Sequence, residues 1–236
     1  MVMIEMIRAT LVMFLLMCAT INLTTCTVEM SFTSDSDVPH TYKEFQDALA
    51  NADGGANPNA PVNIAFDGRE TMLALYAALG RAGKYVNLDL SESSVTGFGD
   101  NDSSSPLGMS FIVSILLPNN LARIGDNAFE SCVHLREVLI PNSVAEIGEY
   151  AFYRCLSLAN ITIPESVEYI DRDAFSQCDS LETVWLIDDV RIADITVFPG
   201  GVKFREAAAL SDISEDGSYV AVRGLYQRNG AEWSRL

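Results

Sequence analysis

Three stretches of this chain, Leu117 to Ile140, Pro141 to Ile163 and Pro164 to Leu186, carry one pattern that recurs every 23 residues. Proline falls at Pro118, Pro141 and Pro164, the pair Ala-Phe at Ala128-Phe129, Ala151-Phe152 and Ala174-Phe175, cysteine at Cys132, Cys155 and Cys178, and leucine at Leu135, Leu158 and Leu181. A unit this short cannot bury its own apolar residues. It has to stack on a copy of itself, so that each unit forms one coil of a solenoid and the core runs from coil to coil. A solenoid is a platform, and its function is to be sought on the coil surface.

Within Leu135-Arg136-Glu137-Val138-Leu139-Ile140 the spacing turns Leu135, Val138 and Ile140 inward. The residues between them face solvent from a parallel sheet whose strands lie about 4.8 Å apart. Proline ends each strand because it cannot donate to the ladder. Val144 and Ile147 turn inward on the far side of the coil, and Glu149 to Arg154 returns as a helical turn that buries Phe152. Phe129, Phe152 and Phe175 are expected to stack. The three cysteines share one coil position beside a buried Phe and Leu, where a small apolar thiol packs well. Neighbouring coils would also bring two of them within disulfide range, leaving the third unpaired.

Before the repeats, Phe45 and Leu49 recur at helical spacing in Tyr42 to Ala50, and the Gly-, Pro- and Asn-rich Asn51 to Pro61 is a loop. Val62 to Phe66 alternates as a strand. Asp67 stands at a cap position before a helix over Glu70 to Ala82, which has Leu73, Leu75, Tyr76, Ala78 and Leu79 to bury and Gly83 to end it. Tyr85 to Leu90 is the first repeat strand. Its coil is three residues longer than the others and contains the polar insert Asp100 to Pro106. After Leu186 the pattern decays, as terminal repeats do when they shield the end of a core. Arg205 to Leu210 reads as a short helix. Gly224 to Trp233 reads as a hairpin turning at Asn229-Gly230, a pair suited to a type I′ turn.

The succession Ile-Gly, Ala-Phe, Cys, Leu and strand-Pro resembles the BspA-like, or treponemal, type of leucine-rich repeat over about Tyr85 to Leu186, and the ending Gly224 to Arg235 resembles the carboxy-terminal hairpin of treponemal members. The resemblance implies an α/β leucine-rich repeat solenoid with its parallel sheet on the concave face. It also implies a surface or secreted protein of bacteria or protists, of a kind proposed to adhere to host matrix proteins or to other bacteria. On this reading residues 1–26 are a signal peptide and 27–84 an amino-terminal cap, with repeats over 85–186 and a degenerate repeat with a hairpin-bearing cap over 187–236. The small number of repeats and the irregular first coil speak against a large adhesive surface.

The amino terminus has Arg8 followed by the uncharged run Ala9 to Cys26, most apolar from Leu11 to Met17. That is the grammar of an export signal, and the run thins too early for the roughly 20 apolar residues of a membrane span. Leu23-Thr24-Thr25-Cys26 is a loose match to a lipoprotein cleavage box, which makes Cys26 a lipidation candidate beside ordinary cleavage without lipid. The net charge of −17 argues against nucleic acid, heparin-like polymers and anionic lipid as partners, because these require basic surface.

No constellation of catalytic residues stands out, and no cofactor is expected. His40 and His134 lie outside zinc-ligand spacing, and the Cys132 and His134 pair is not repeated at Cys155 or Cys178. Asp100 to Ser104 begins like a calcium loop but lacks its glycine and its bidentate glutamate. Phosphate-loop, dinucleotide and nucleophile-elbow motifs are missing.

The candidate site is instead the outward sheet face. One column there holds Asp89, Leu116, Leu139, Thr162 and Trp185, and the next Asn87, Ser114, Glu137, Asn160 and Thr183. Three large apolar groups among five water-facing positions is unusual. Either the face meets a protein partner, or the carboxy-terminal cap covers Leu139 and Trp185 as core. Two other roles remain open, a small apolar ligand held between Trp185 and that cap and a purely structural place in the envelope. Glu146, Glu149, Glu165, Glu168, Asp171 and Asp173 gather on the convex segments as a solubilising face.

Overall fold

The repeat period closes one coil and lays each strand beside its predecessor. The computed structural model describes residues 38–95, 98–99, 110–193, 196–199, 210–213, 219–221, 223–229 and 232–235. The expectations for the signal peptide, Cys26, the insert Asp100 to Pro106 and Arg205 to Ala209 lie outside these residues. In chain order come α1 (Tyr42–Asn51), β1 (Val62–Ala65), α2 (Met72–Ala82), β2 (Val86–Asp89), β3 (Ile112–Leu116), β4 (Arg123–Ile124), β5 (Glu137–Leu139) and β6 (Glu146–Ile147). There follow β7 (Asn160–Ile163), β8 (Tyr169–Ile170), β9 (Thr183–Leu186), β10 (Val190–Ile192), β11 (Leu210–Ile213), β12 (Tyr219–Ala221), β13 (Gly224–Asn229) and β14 (Glu232–Arg235).

Helix α1 opens with a capping box. The Thr41 side chain accepts from the Glu44 N–H, and the Glu44 carboxylate accepts back from Thr41. Its last turn is closed from outside, where the Lys84 ammonium donates to the Leu49 and Ala52 carbonyls at 2.6 Å each. Helix α2 starts later than the sequence suggests. Thr71, not Asp67, caps it by accepting from the Ala74 N–H, while Asp67 lies 2.5 Å from His40 Nδ1. With Met72 as its first residue, the buried stripe is Met72, Leu75, Tyr76 and Leu79, the i, i+3, i+4, i+7 face. Leu73 falls off that stripe and is 48% exposed, contrary to expectation. Gly83, in the left-handed region at φ 61°, ends the helix as expected.

The main ladder runs β1-β2-β3-β5, all parallel. Val62–Ala65, read from the sequence as part of the cap, is thus the first strand of the same sheet. The ladder resumes as β7-β9, also parallel, and β13 then joins β9 antiparallel and carries β14. Strands β5 and β7 lie side by side without a shared ladder. On the opposite side of each coil the short strands β4, β6, β8 and β10 form a second parallel ladder, continued antiparallel by β12 and β11. It turns Ile124, Ile147, Ile170 and Ile192 into the core.

The return segment is not the expected helical turn. Asn127, Tyr150 and Asp173, and four residues later Ser131, Arg154 and Gln177, all take φ between 54° and 59°. Two left-handed residues per coil cannot continue a helix, and each costs a non-glycine residue about 1 kcal/mol. The compensation lies between coils. The N–H groups of Tyr150, Phe152 and Arg154 donate to the carbonyls of Arg172, Ala174 and Ser176 in the next coil, at 3.1, 2.7 and 3.1 Å. The close approach also explains one glycine, since a Cβ on Gly148 would meet Asp126 Oδ1 at 2.3 Å and the Asp126 backbone nitrogen at 2.8 Å.

Between these segments the phenylalanines stack as expected. Ring centroids are 5.2 Å apart for Phe129 and Phe152 and 5.0 Å for Phe152 and Phe175, with interplanar angles of 12° and 5°. The stack continues to Phe198 at 5.3 Å, a member hidden in the sequence because Val197 replaces the usual alanine. The carboxy-terminal hairpin is present, but Asn229 pairs with Glu232, so Asn229 belongs to the strand and not to the turn where it was expected. Leu210, assigned to a helix from the sequence, begins β11.

Phe152 has a ring stacked on each face and is wholly buried, so Phe152→Ala should cost about 3 to 5 kcal/mol by cavity formation. A denaturant titration reads this directly, and an unchanged midpoint would contradict the register described.

Candidate protein-binding face

Strand register assembles the outward column from separate coils. Ala65 lies opposite Asp89, Asp89 opposite Leu116, and Leu116 opposite Leu139. Thr162 lies opposite Trp185 across β7 and β9. The carboxy-terminal hairpin does not cover this column. It lengthens it, because Leu225 of β13 pairs with Trp185. Leu139 is 43% exposed, and Leu116, Thr162, Trp185 and Leu225 are half-buried. Leu225 was not legible as part of the face, because Leu225 and Tyr226 are adjacent and only the pairing of Tyr226 with Val184 turns Tyr226 inward and Leu225 outward.

The neighbouring column is polar throughout, with Asn63, Asn87, Ser114 and Glu137 in register across one ladder and Asn160, Thr183, Gln227 and Ser234 across the other. Its first half is knitted together. Ser114 Oγ donates to Asn87 Oδ1 and Asn87 Nδ2 to Asn63 Oδ1, each at 2.8 Å. Ser114 and Asn87 are 3% and 4% exposed, so Ser114, a candidate contact by sequence, is occupied internally. The second half is open, with Asn160 exposed and bonded to the Thr183 hydroxyl. Glu137 is half-buried, and desolvation raises its carboxyl above the ordinary glutamate range.

The cysteines belong to the core. Cys132, Cys155 and Cys178 are free thiols with no exposure. Cys155 and Cys178 donate to the carbonyls of Phe129 and Phe152 in the preceding coil, at 3.2 and 3.0 Å. Burial pushes the Cys132 and Cys155 thiols well above their ordinary range, which suppresses the reactive thiolate. His134 packs edge-on against Tyr85, with ring centroids 5.0 Å apart. Among the described residues no group of three or more His, Cys, Asp or Glu is arranged to hold a metal ion.

The junction between the last coil and the hairpin is filled, which removes the small-ligand site weighed from the sequence. Tyr226, Phe198 and Trp233 are all buried there, and Trp233 Nε1–H donates to the Pro199 carbonyl at 3.2 Å. The convex carboxylates are only partly free. Glu146 pairs with Arg123 at 3.0 Å and Glu149 with Arg172 at 3.6 Å, Glu168 is exposed beside β8, and Glu165, expected on this side, stands exposed in the turn directly after β7.

Residues 108–219 match the BspA type leucine rich repeat region in 6 copies. These are BspA-type leucine-rich repeats. Their solenoid is also similar to the crystal structure of the T. pallidum leucine rich repeat protein, at 25% identity over 52% of this chain and 46% of that chain, with a TM-score of 0.33. The present chain therefore spans less than half of that relative. Comparison with curated proteins gives no match. Leucine-rich repeat regions are generally protein-interaction scaffolds whose stacked strands build an extended surface.

A carboxyl with a raised folded-state pKa is neutral in both states below about pH 4 and destabilises the fold as pH climbs through the folded value. Glu137→Gln should therefore raise the melting temperature relative to the parent at pH 7 and lose that advantage near pH 4. An equal difference at both pH values would show that Glu137 is not desolvated.

Proposed function

We propose that this protein is a non-enzymatic binding module, exported to the periplasm or cell surface, that recognises a protein partner through the outward column Leu116, Leu139, Thr162, Trp185 and Leu225, flanked by Glu137, Asn160 and Thr183. The observation that carries the reading is the placement of Leu139. It is 43% exposed at the centre of a face whose apolar members continue onto the carboxy-terminal hairpin instead of being buried by it. A partly exposed Trp is a residue type enriched at interaction hot spots, and the neighbouring Leu side chains extend its apolar surface. The complementary partner is a protein with apolar surface, and a host extracellular matrix protein is the class that the repeat type suggests.

The double variant Leu139→Glu with Trp185→Ala should lose binding to immobilised extracellular matrix proteins while keeping the parent's circular dichroism spectrum. Undiminished binding by the variant refutes the face. A parent that binds none of the matrix proteins refutes that choice of partner.

Export rests on the run from Ala9 to Cys26, and lipid anchoring on Cys26. Among the described residues no helix is long and apolar enough to cross a membrane. Mass spectrometry of the mature amino terminus should find the chain beginning at or after Cys26, with a diacylglyceryl mass if Cys26 is modified. An intact Met1 in the mature protein would sink the export reading.

A further inference from the structure

The apolar column is bordered on both sides by acceptors. Three residues beyond each member of the column, in the turn that follows the strand, stand Glu92, Asn119, Asn142, Glu165 and Asp188, all exposed. Asp188 follows Trp185 by three residues and Glu165 follows Thr162 by three, which sets these carboxylates within about 10 Å of the column along the chain. That distance is about one Debye length at 0.1 M salt, so their field reaches anything seated on Leu139 and Trp185. On the other side lies the polar column with Glu137, and Asp89 heads the apolar column itself. None of these three rows contains a cation among the described residues.

The cations nearest to this face are engaged elsewhere or stand at its end. Arg136 donates to Asn59 Oδ1 at 2.6 Å, and Arg228 donates to the Asp179 carbonyl. Arg223 lies beside the last row, where its backbone N–H donates to Asp189 at 2.7 Å. The second ladder is different, for there Arg123 pairs with Glu146 and Asp126, and Arg191 lies over the Tyr169 ring. Glu146 and Asp126 on that side of the coil thus have a cation partner, whereas around the apolar strip Asp89, Glu92 and Asp188 accept from the neutral donors Ser91 N–H, Asn119 Nδ2 and Asp189 N–H.

From this arrangement we infer that the occupant of the face is a polypeptide segment that alternates apolar with basic side chains. Its apolar groups rest on Leu116, Leu139, Trp185 and Leu225, and its Lys or Arg groups reach Glu165, Asp188 and Asp89. This deepens the binding role proposed above and rests on it. An apolar strip alone would accept any hydrophobic segment; the bordering carboxylates add selectivity through the cost of placing like charge beside them.

The test uses the full chain and four short synthetic peptides, Leu/Lys, Leu/Glu, Leu/Ser and Lys/Ser, with affinity read by fluorescence anisotropy. The Leu/Lys peptide should bind at least about tenfold tighter than Leu/Glu at low salt, with the gap shrinking at 0.5 M salt as screening shortens the field. Glu165→Gln with Asp188→Asn should bring Leu/Lys down to the Leu/Ser level and leave Leu/Ser binding unchanged. Equal affinity for Leu/Lys, Leu/Glu and Leu/Ser overturns the charge selectivity while leaving the apolar face standing. Lys/Ser binding as tightly as Leu/Lys reduces the effect to bulk attraction by an acidic protein and overturns the inference. If Leu139→Ser with Trp185→Ala leaves Leu/Lys binding intact, the face itself is wrong.

Discussion

Each coil of this protein has to lie flat on the next, and the segment that makes this possible is the irregular one. The left-handed residues at Tyr150 and Arg154, and their counterparts one coil before and after, turn alternate backbone N–H groups toward the neighbouring coil. The phenylalanine between them is thereby held at stacking distance from its equivalents. A helix in that position would bond to itself and offer its neighbour only side chains. Here the backbone accepts local strain, and the coil-to-coil hydrogen bonds with the buried aromatic column offset it.

The same geometry separates structural from functional positions. Whatever repeats at 23-residue spacing and points inward serves the stack, including the thiols, whose S–H groups reach back to phenylalanine carbonyls of the preceding coil. Outward strand positions carry no such duty. There the residue types diverge from coil to coil, from Asp89 through Leu116 and Leu139 to Thr162 and Trp185. This divergence gives the face its character, an apolar strip between polar rows.

Much of this was legible in the sequence because the repeat supplied three aligned copies of each decision. The strand register, the Phe stack and the packing role of the cysteines each followed from a period seen three times. Features that occur once were harder. Thr71 rather than Asp67 caps α2, since Asp67 is drawn to His40, a tertiary contact that spacing does not reveal. The return segment looked helical because Phe152 and its neighbours are ordinary helix-compatible residues, and left-handed conformations at Tyr150, Arg154 and Gln177 leave no mark in composition. Ser114 was read as free because its strand position faces outward, whereas a bond to Asn87 and burial remove it from the surface. Leu225 stayed hidden until the hairpin register was known.

The last member of the aromatic column is Trp233, and its indole is tilted 55° to Phe198 where the preceding rings differ by 12° or less. A stack of parallel rings ending in another parallel ring would offer a docking site to the first coil of a second molecule, and a head-to-tail contact of that kind propagates into a filament. The tilted indole leaves no flat ring for the next molecule to extend. The hairpin that lengthens the outward column therefore also closes the aromatic stack with a ring set across it.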